Sequence, residues 1–119
     1  QLLLHIAGTD LPLLDYCTQQ DIRVEAYSPI AHGEALKNPA IAAMAQKYGV
    51  TAAQLCIRYV IQLGTVALPK TADPAHMKDN AAVDFVISDA DMDALVHMDR
   101  IQSYGDFNVF PVFSGKPLA

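Results

Sequence analysis

The hydrophobic positions fall into short continuous runs separated by longer stretches with helical spacing. Residues 1–4 read as the end of a strand. Thr9 or Asp10 predicts a cap for a helix over residues 11–20, with Leu13, Leu14 and Cys17 on one face. A short strand follows at 23–27, then a loop of turn residues over 28–38. Asn38-Pro39 predicts a helix start, and that helix runs to Tyr48 and stops at Gly49. Thr51 opens the next helix and Gln54 completes a capping box. Its apolar residues Leu55, Cys56, Tyr59, Val60 and Ile61 cover a wide face, and Gly64 ends it. A strand over 66–69 leads to Asp73-Pro74, which starts a short helix ending near Asn80. Residues 84–88 read as extended, and Ser88 caps a last helix over 89–101. The tail, 103–119, is aromatic and without periodicity.

Strands alternating with helices at this spacing predict an α/β fold of parallel βα units, whose strands read as continuous apolar runs. Only about two complete strands are legible, and two strands cannot close a barrel. Their partners are expected from another chain or a longer polypeptide. The apolar share, 52% of 119 residues, is high for a short chain and agrees with strands buried on both faces. A net charge of −5 argues against a nucleic-acid partner, so any anion must be held by local geometry. Cys17 and Cys56 lack metal spacing and read as core thiols of a reducing, cytoplasmic protein. The four histidines, His5, His32, His76 and His97, form no ligand motif, so no metal site is expected. No apolar run is long enough to span a membrane. The chain opens on an apolar run without Met or a signal peptide and reads as a fragment of a longer protein.

The strand ends carry the candidate chemistry. Lys70 and Thr71 lie between the end of one strand and the start of a helix. An ammonium, a hydroxyl and the amides near Asp73–Ala75 would make an anion cradle; the alternative is a solvated βα turn. Tyr27, at the other strand end, either stacks on a planar ring or packs in the core. His32 either donates to a phosphate or stands in solvent, and Gln1 either holds an amide ligand or is an accident of where the chain begins.

In order, the segments EAYSPIAHG, AAQLCIRYVIQLGTVALPKTADPAHMKDN and DFVIS resemble the C-terminal part of the aldo-keto reductases, from Gln1 to about Arg100. That family has an AYSP strand end, a helix of the AQ..LR....G type, a PKS or PKT strand end, and a segment closing in EN. Gln1 and Tyr27 are 26 positions apart, matching the family's separation of its carboxamide-binding glutamine from its stacking tyrosine. The resemblance implies a partial (β/α)8 TIM barrel: the last two to three βα units, a C-terminal helix and the tail, as one segment over 1–119. It also implies NADP(H) as cofactor. Gln1 would bond the nicotinamide carboxamide and Tyr27 would stack on the ring. Ser28, Ile30 and His32 would pack over the pyrophosphate. Lys70 and Thr71 would meet the adenosine 2′-phosphate, and Asn80, with Asp79 beside it, the adenine.

Two residues depart from the family pattern. His76 stands where the family usually has arginine, which softens the preference for NADPH and leaves NADH open. His5-Ile6 replaces the usual His-Pro, so that turn is expected to differ. The family's catalytic Asp, Tyr, Lys and His lie on earlier strands, so no catalytic residue is assigned here. The parent enzyme is expected to reduce aldehydes or ketones, and this chain alone to be inactive. The tail aromatics Phe107, Phe110 and Phe113 correspond to the segment bordering the substrate pocket, and the carbonyl substrate is not legible. The other reading is a non-catalytic module that self-associates through its strand edges.

Overall fold

A computed structural model of the chain describes residues 1–110. Three short strands, β1 (Leu2–Leu3), β2 (Glu25–Tyr27) and β3 (Val66–Leu68), form a parallel sheet in the order β1-β2-β3. Leu3 stands opposite Tyr27, and Tyr27 opposite Leu68, so the carboxyl ends of the strands are level. Helix α1 (Leu11–Gln19) connects β1 to β2, while α2 (Pro39–Lys47) and α3 (Ala52–Gln62) connect β2 to β3. Helices α4 (Pro74–Ala81) and α5 (Asp89–Val96) follow β3. The sequence reading anticipated this alternation: the strand end over 1–4 is β1, and the two complete strands are β2 and β3.

The helix starts follow their predicted caps. Asp10 accepts from the Leu13 amide, and Asn38 from the amides of Ala40 and Ile41. Thr51 and Gln54 form the reciprocal capping box. The apolar face of α3 buries Leu55, Cys56, Ile57, Tyr59 and Val60; Ile57 takes the place expected for Ile61, which is only partly covered. Each such side chain contributes about 2 kcal/mol by leaving water, so α3 is the main apolar anchor of the helical layer. On α1, Leu14 and Cys17 face inward, whereas Leu13 points outward at 38% exposure. Both thiols are free and buried, and burial pushes the Cys56 thiol up to about 12.

Two segments differ from expectation. The loop after β2 contains 3-10 turns over Ala31–Lys37. Helix α5 stops at Val96 rather than near residue 101. The Ile101 amide donates to the Ala7 carbonyl at 3.2 Å, so the chain there turns back toward the end of β1 instead of adding a helical turn. The tail continues as a 3-10 turn over Gly105–Val109; Phe113 and the rest of the tail beyond Phe110 lie outside the described residues. No helix among the described residues is long and apolar enough to cross a membrane.

The turn after β1 is built around a buried histidine. The His5 carbonyl accepts from the Gly8 amide at 3.1 Å, and Ala7 takes a left-handed φ of 63°. A Cβ on Gly8 would come within 2.2 Å of the His5 ring, so only glycine fits there. His5 Nδ1 lies 2.6 Å from the Ile6 carbonyl and Nε2 lies 2.9 Å from the Tyr104 hydroxyl. A carbonyl can only accept, so Nδ1 carries the hydrogen and Nε2 accepts from Tyr104. Burial lowers the His5 pKa; the Ile6 carbonyl opposes this, and the charges of His32 and Arg100 add to it.

A fully buried neutral imidazole has a sign consequence. The unfolded chain takes up a proton near the ordinary histidine pKa, and the folded chain does not until lower pH. The His5 contribution is therefore complete above about pH 6.5 and is lost as pH falls below that value. Urea midpoints measured at pH 7.5 and 5.5 should fall with acidification, and less steeply in His5→Gln.

Candidate functional site

The level carboxyl ends of β2 and β3 open into two adjoining cavities. One, of about 440 Å³, is lined by Tyr27, Ser28, Ile30, His32, Lys70 and Phe107, among others. The second, of about 290 Å³, is lined by Ile30, Lys70, Thr71, His76, Asp79 and Asn80, with Leu36, Thr51 and Ala53. Ile30 and Lys70 belong to both, so the two form one continuous rim. The parallel register is the cause: Tyr27 pairs with Leu68, which puts Lys70 two residues past the same level.

Nine of the ten residues singled out in the sequence line these cavities. The tenth, Gln1, does not. It precedes β1 beside Glu25, and its Nε2 donates to Glu25 Oε2 at 2.9 Å. Glu25 and Tyr27 share a face of β2 because strand side chains alternate, so Gln1 stands below the tyrosine on that face.

The loop after Tyr27 is held in an uncommon backbone. Ser28, Ala31 and His32 all have left-handed φ, at 50°, 52° and 54°. Non-glycine residues seldom adopt this conformation and keep it only where the surroundings enforce it. Here the Ala31 amide donates to the Ser28 carbonyl at 2.8 Å, and Ser28 Oγ lies 3.1 Å from His32 Nε2. Phe107 stacks on the His32 ring, centroids 4.0 Å apart and planes at 24°. Phe107 thus joins the wall from an aperiodic tail, where no spacing could have assigned its contact. Burial raises the Tyr27 pKa, which keeps the phenol neutral.

At the other end the anion cradle differs from the sequence expectation. Asp73 Oδ1 itself accepts from the amides of Ala75 and His76, at 2.7 and 3.4 Å. Those bonds lower the Asp73 pKa, so the cap stays ionised. The Asp73 amide in turn donates to Thr71 Oγ1 at 3.1 Å. The amides near the start of α4 are therefore satisfied internally, and the groups offered to an anion are side chains. Thr71 accepts through oxygen and keeps its hydroxyl hydrogen to donate. None of the ion pairs among the described residues uses Lys70. A charge-assisted site of one ammonium and one hydroxyl remains, with His76 alongside.

The cavity volumes and mixed apolar and polar walls are those of a small-molecule site. An aromatic face at one end and a cation with a hydroxyl at the other suit an elongated ligand bearing a planar ring and an anionic group.

The model of the aldo/keto reductase family matches residues 7–100. An uncharacterized oxidoreductase of Schizosaccharomyces pombe is 38% identical over 109 residues, which are 91% of this chain and 39% of that protein. Glyoxal reductase of Bacillus subtilis is 33% identical over 88% of this chain and 38% of its own length. Among solved structures, a mutant of Gox0644 in complex with NADPH superposes with a TM-score of 0.79 at 33% identity, covering 84% of this chain and 37% of that one. An aldo-keto reductase of the silkworm Bombyx mori gives a TM-score of 0.76 at 28% identity, covering 98% of this chain and 39% of its own. The chain spans little more than a third of the length of these relatives, and its fold is part of a (β/α)8 barrel. Matched by the family model over residues 7–100, most of its length, this chain belongs to the aldo/keto reductase family.

Proposed function

We propose that this chain forms the NADP(H)-binding portion of a reductase that converts aldehydes or ketones to alcohols. The observation that supports it most is that Tyr27 and Lys70, from different strand ends, line one cavity that continues toward Thr71, His76, Asp79 and Asn80. In this reading Tyr27 stacks on the nicotinamide ring and Gln1, once turned from Glu25, bonds its carboxamide. The strained loop of Ser28, Ile30 and His32 covers the pyrophosphate. Lys70 and Thr71 bind the 2′-phosphate, and Asp79 and Asn80 flank the adenine. When bound, the dinucleotide supplies a hydride to the carbonyl carbon. The residues of this chain fix the ring, exclude water above it and neutralise the terminal phosphate.

Lys70 supplies a charge that only NADP(H) uses fully. Lys70→Ala should weaken NADPH binding by about tenfold to a hundredfold, the range of a hydrogen bond to a charged group, and leave NADH nearly unchanged. Fluorescence titration with both cofactors tests this, and unchanged NADPH affinity would overturn the reading. His76→Arg adds a planar guanidinium that pairs with phosphate in two-pronged fashion. It should tighten NADPH by about fivefold or more relative to NADH, in the same titration.

The second reading, assembly through strand edges, is favoured by the exposed apolar residue Val66 on β3, which lies at the sheet's outer edge. Sedimentation of the 119-residue chain should then give dimers or larger species whose population rises with concentration and is unchanged by NADPH.

A further inference from the structure

Helix α4 bears three of the residues lining the 290 Å³ cavity, His76, Asp79 and Asn80, yet buries none of its own side chains. An eight-residue helix without an apolar face is marginal in water and has little to fix its rotation. What holds it is polar. Gln54 Nε2 donates to the carbonyls of Asp79 and Ala82 at the end of α4, each at 3.1 Å; the Asp79 carbonyl also accepts from the Ala82 amide at 3.0 Å. The same side chain accepts, through Oε1, from the Thr51 amide at 2.9 Å. With two carbonyls on one atom and an amide on the other, the orientation of the Gln54 amide is determined.

Gln54 is also the first of a row. Arg58 Nη1 donates to the Val83 carbonyl at 3.2 Å, and Gln62 exchanges two bonds with the Ile87 backbone, at 2.6 and 3.0 Å. Residues 54, 58 and 62 are four apart and share one side of α3. Their side chains serve the main chain from 79 to 87 as a neighbouring strand would.

We infer that Gln54 is a positioning residue: it clamps the end of α4 to the start of α3 and so fixes the Asp79–Asn80 wall across the cavity from Lys70. This rests on the dinucleotide reading for the identity of the ligand, whereas the clamp itself is a property of the free protein. The two roles of Gln54 separate chemically. Glutamate at this position still accepts from the Thr51 amide and keeps the capping box, but its carboxylate cannot donate to the two carbonyls. Gln54→Met keeps the length without charge, so it controls for repulsion between a carboxylate and a bound phosphate.

Amide hydrogen exchange of the unliganded 119-residue chain and titration with adenosine 2′,5′-bisphosphate test the inference together. In both variants the amides of α4 should exchange faster, and in Gln54→Glu those of α3 should be unchanged. Affinity for the bisphosphate should fall by about threefold to thirtyfold in both, the loss of one to two hydrogen bonds. Unchanged exchange in α4 overturns the clamp whatever the titration gives. Faster exchange with undiminished affinity overturns its role in the site. A wild-type chain that ignores the bisphosphate overturns the dinucleotide reading, and the role of the clamp in binding with it.

Discussion

The parallel register of β2 and β3 is the constraint on which the rest depends. Glu25 faces Val66, Ala26 faces Ala67 and Tyr27 faces Leu68. This alignment brings an aromatic ring and an ammonium, 43 positions apart in the chain, to one rim. A slip of one residue would send Tyr27 to the opposite face of the sheet, because strand side chains alternate. Three-residue strands have few ladder bonds with which to resist such a slip. Burial of Ala26, which is inaccessible, and a further backbone bond from the Val66 amide to the Val24 carbonyl at 2.9 Å reinforce the register.

Helix α3 transmits that constraint to the site. One side carries the buried apolar row, and Tyr59 within it reaches Thr9 in the loop after β1, hydroxyl to hydroxyl at 2.6 Å. Thr9 donates onward to the His5 carbonyl, which leaves the Tyr59 hydroxyl as donor to Thr9. The other side carries Gln54, Arg58 and Gln62, which bind main chain rather than side chains. One helix therefore joins the end of β1, the layer above the sheet and the segment after β3. A similar polar link holds α5, where Lys47 at the end of α2 and Tyr48 just after it both meet Asp91, whose pKa is lowered chiefly by the Lys47 bond.

Electrostatics sharpen what the candidate site can bind. The chain is acidic overall, at −5, so a distant anion is not attracted to it by the global field. Attraction has to be local and close. The amides at the start of α4 are taken by Asp73, an ionised cap, so in the proposed site the cationic duty would fall to Lys70 with Thr71 as hydroxyl donor.

Much of this was legible in the chain itself. The caps at Asn38, Thr51, Asp73 and Ser88 are local events, decided by side chains within three residues of the amides they serve, and formed as read; of Thr9 and Asp10, Asp10 is the cap. Also legible were the apolar runs of the strands and the family resemblance, because motif and period are properties of neighbours in sequence. Tertiary structure decided what depends on distant partners. It returned the Ile101 amide to Ala7 beyond the early end of α5, turned Leu13 outward, and stacked Phe107 on His32 across 75 positions of chain. A hydrogen bond or a ring contact between remote residues leaves no period in the sequence, and so only the folded chain reveals it.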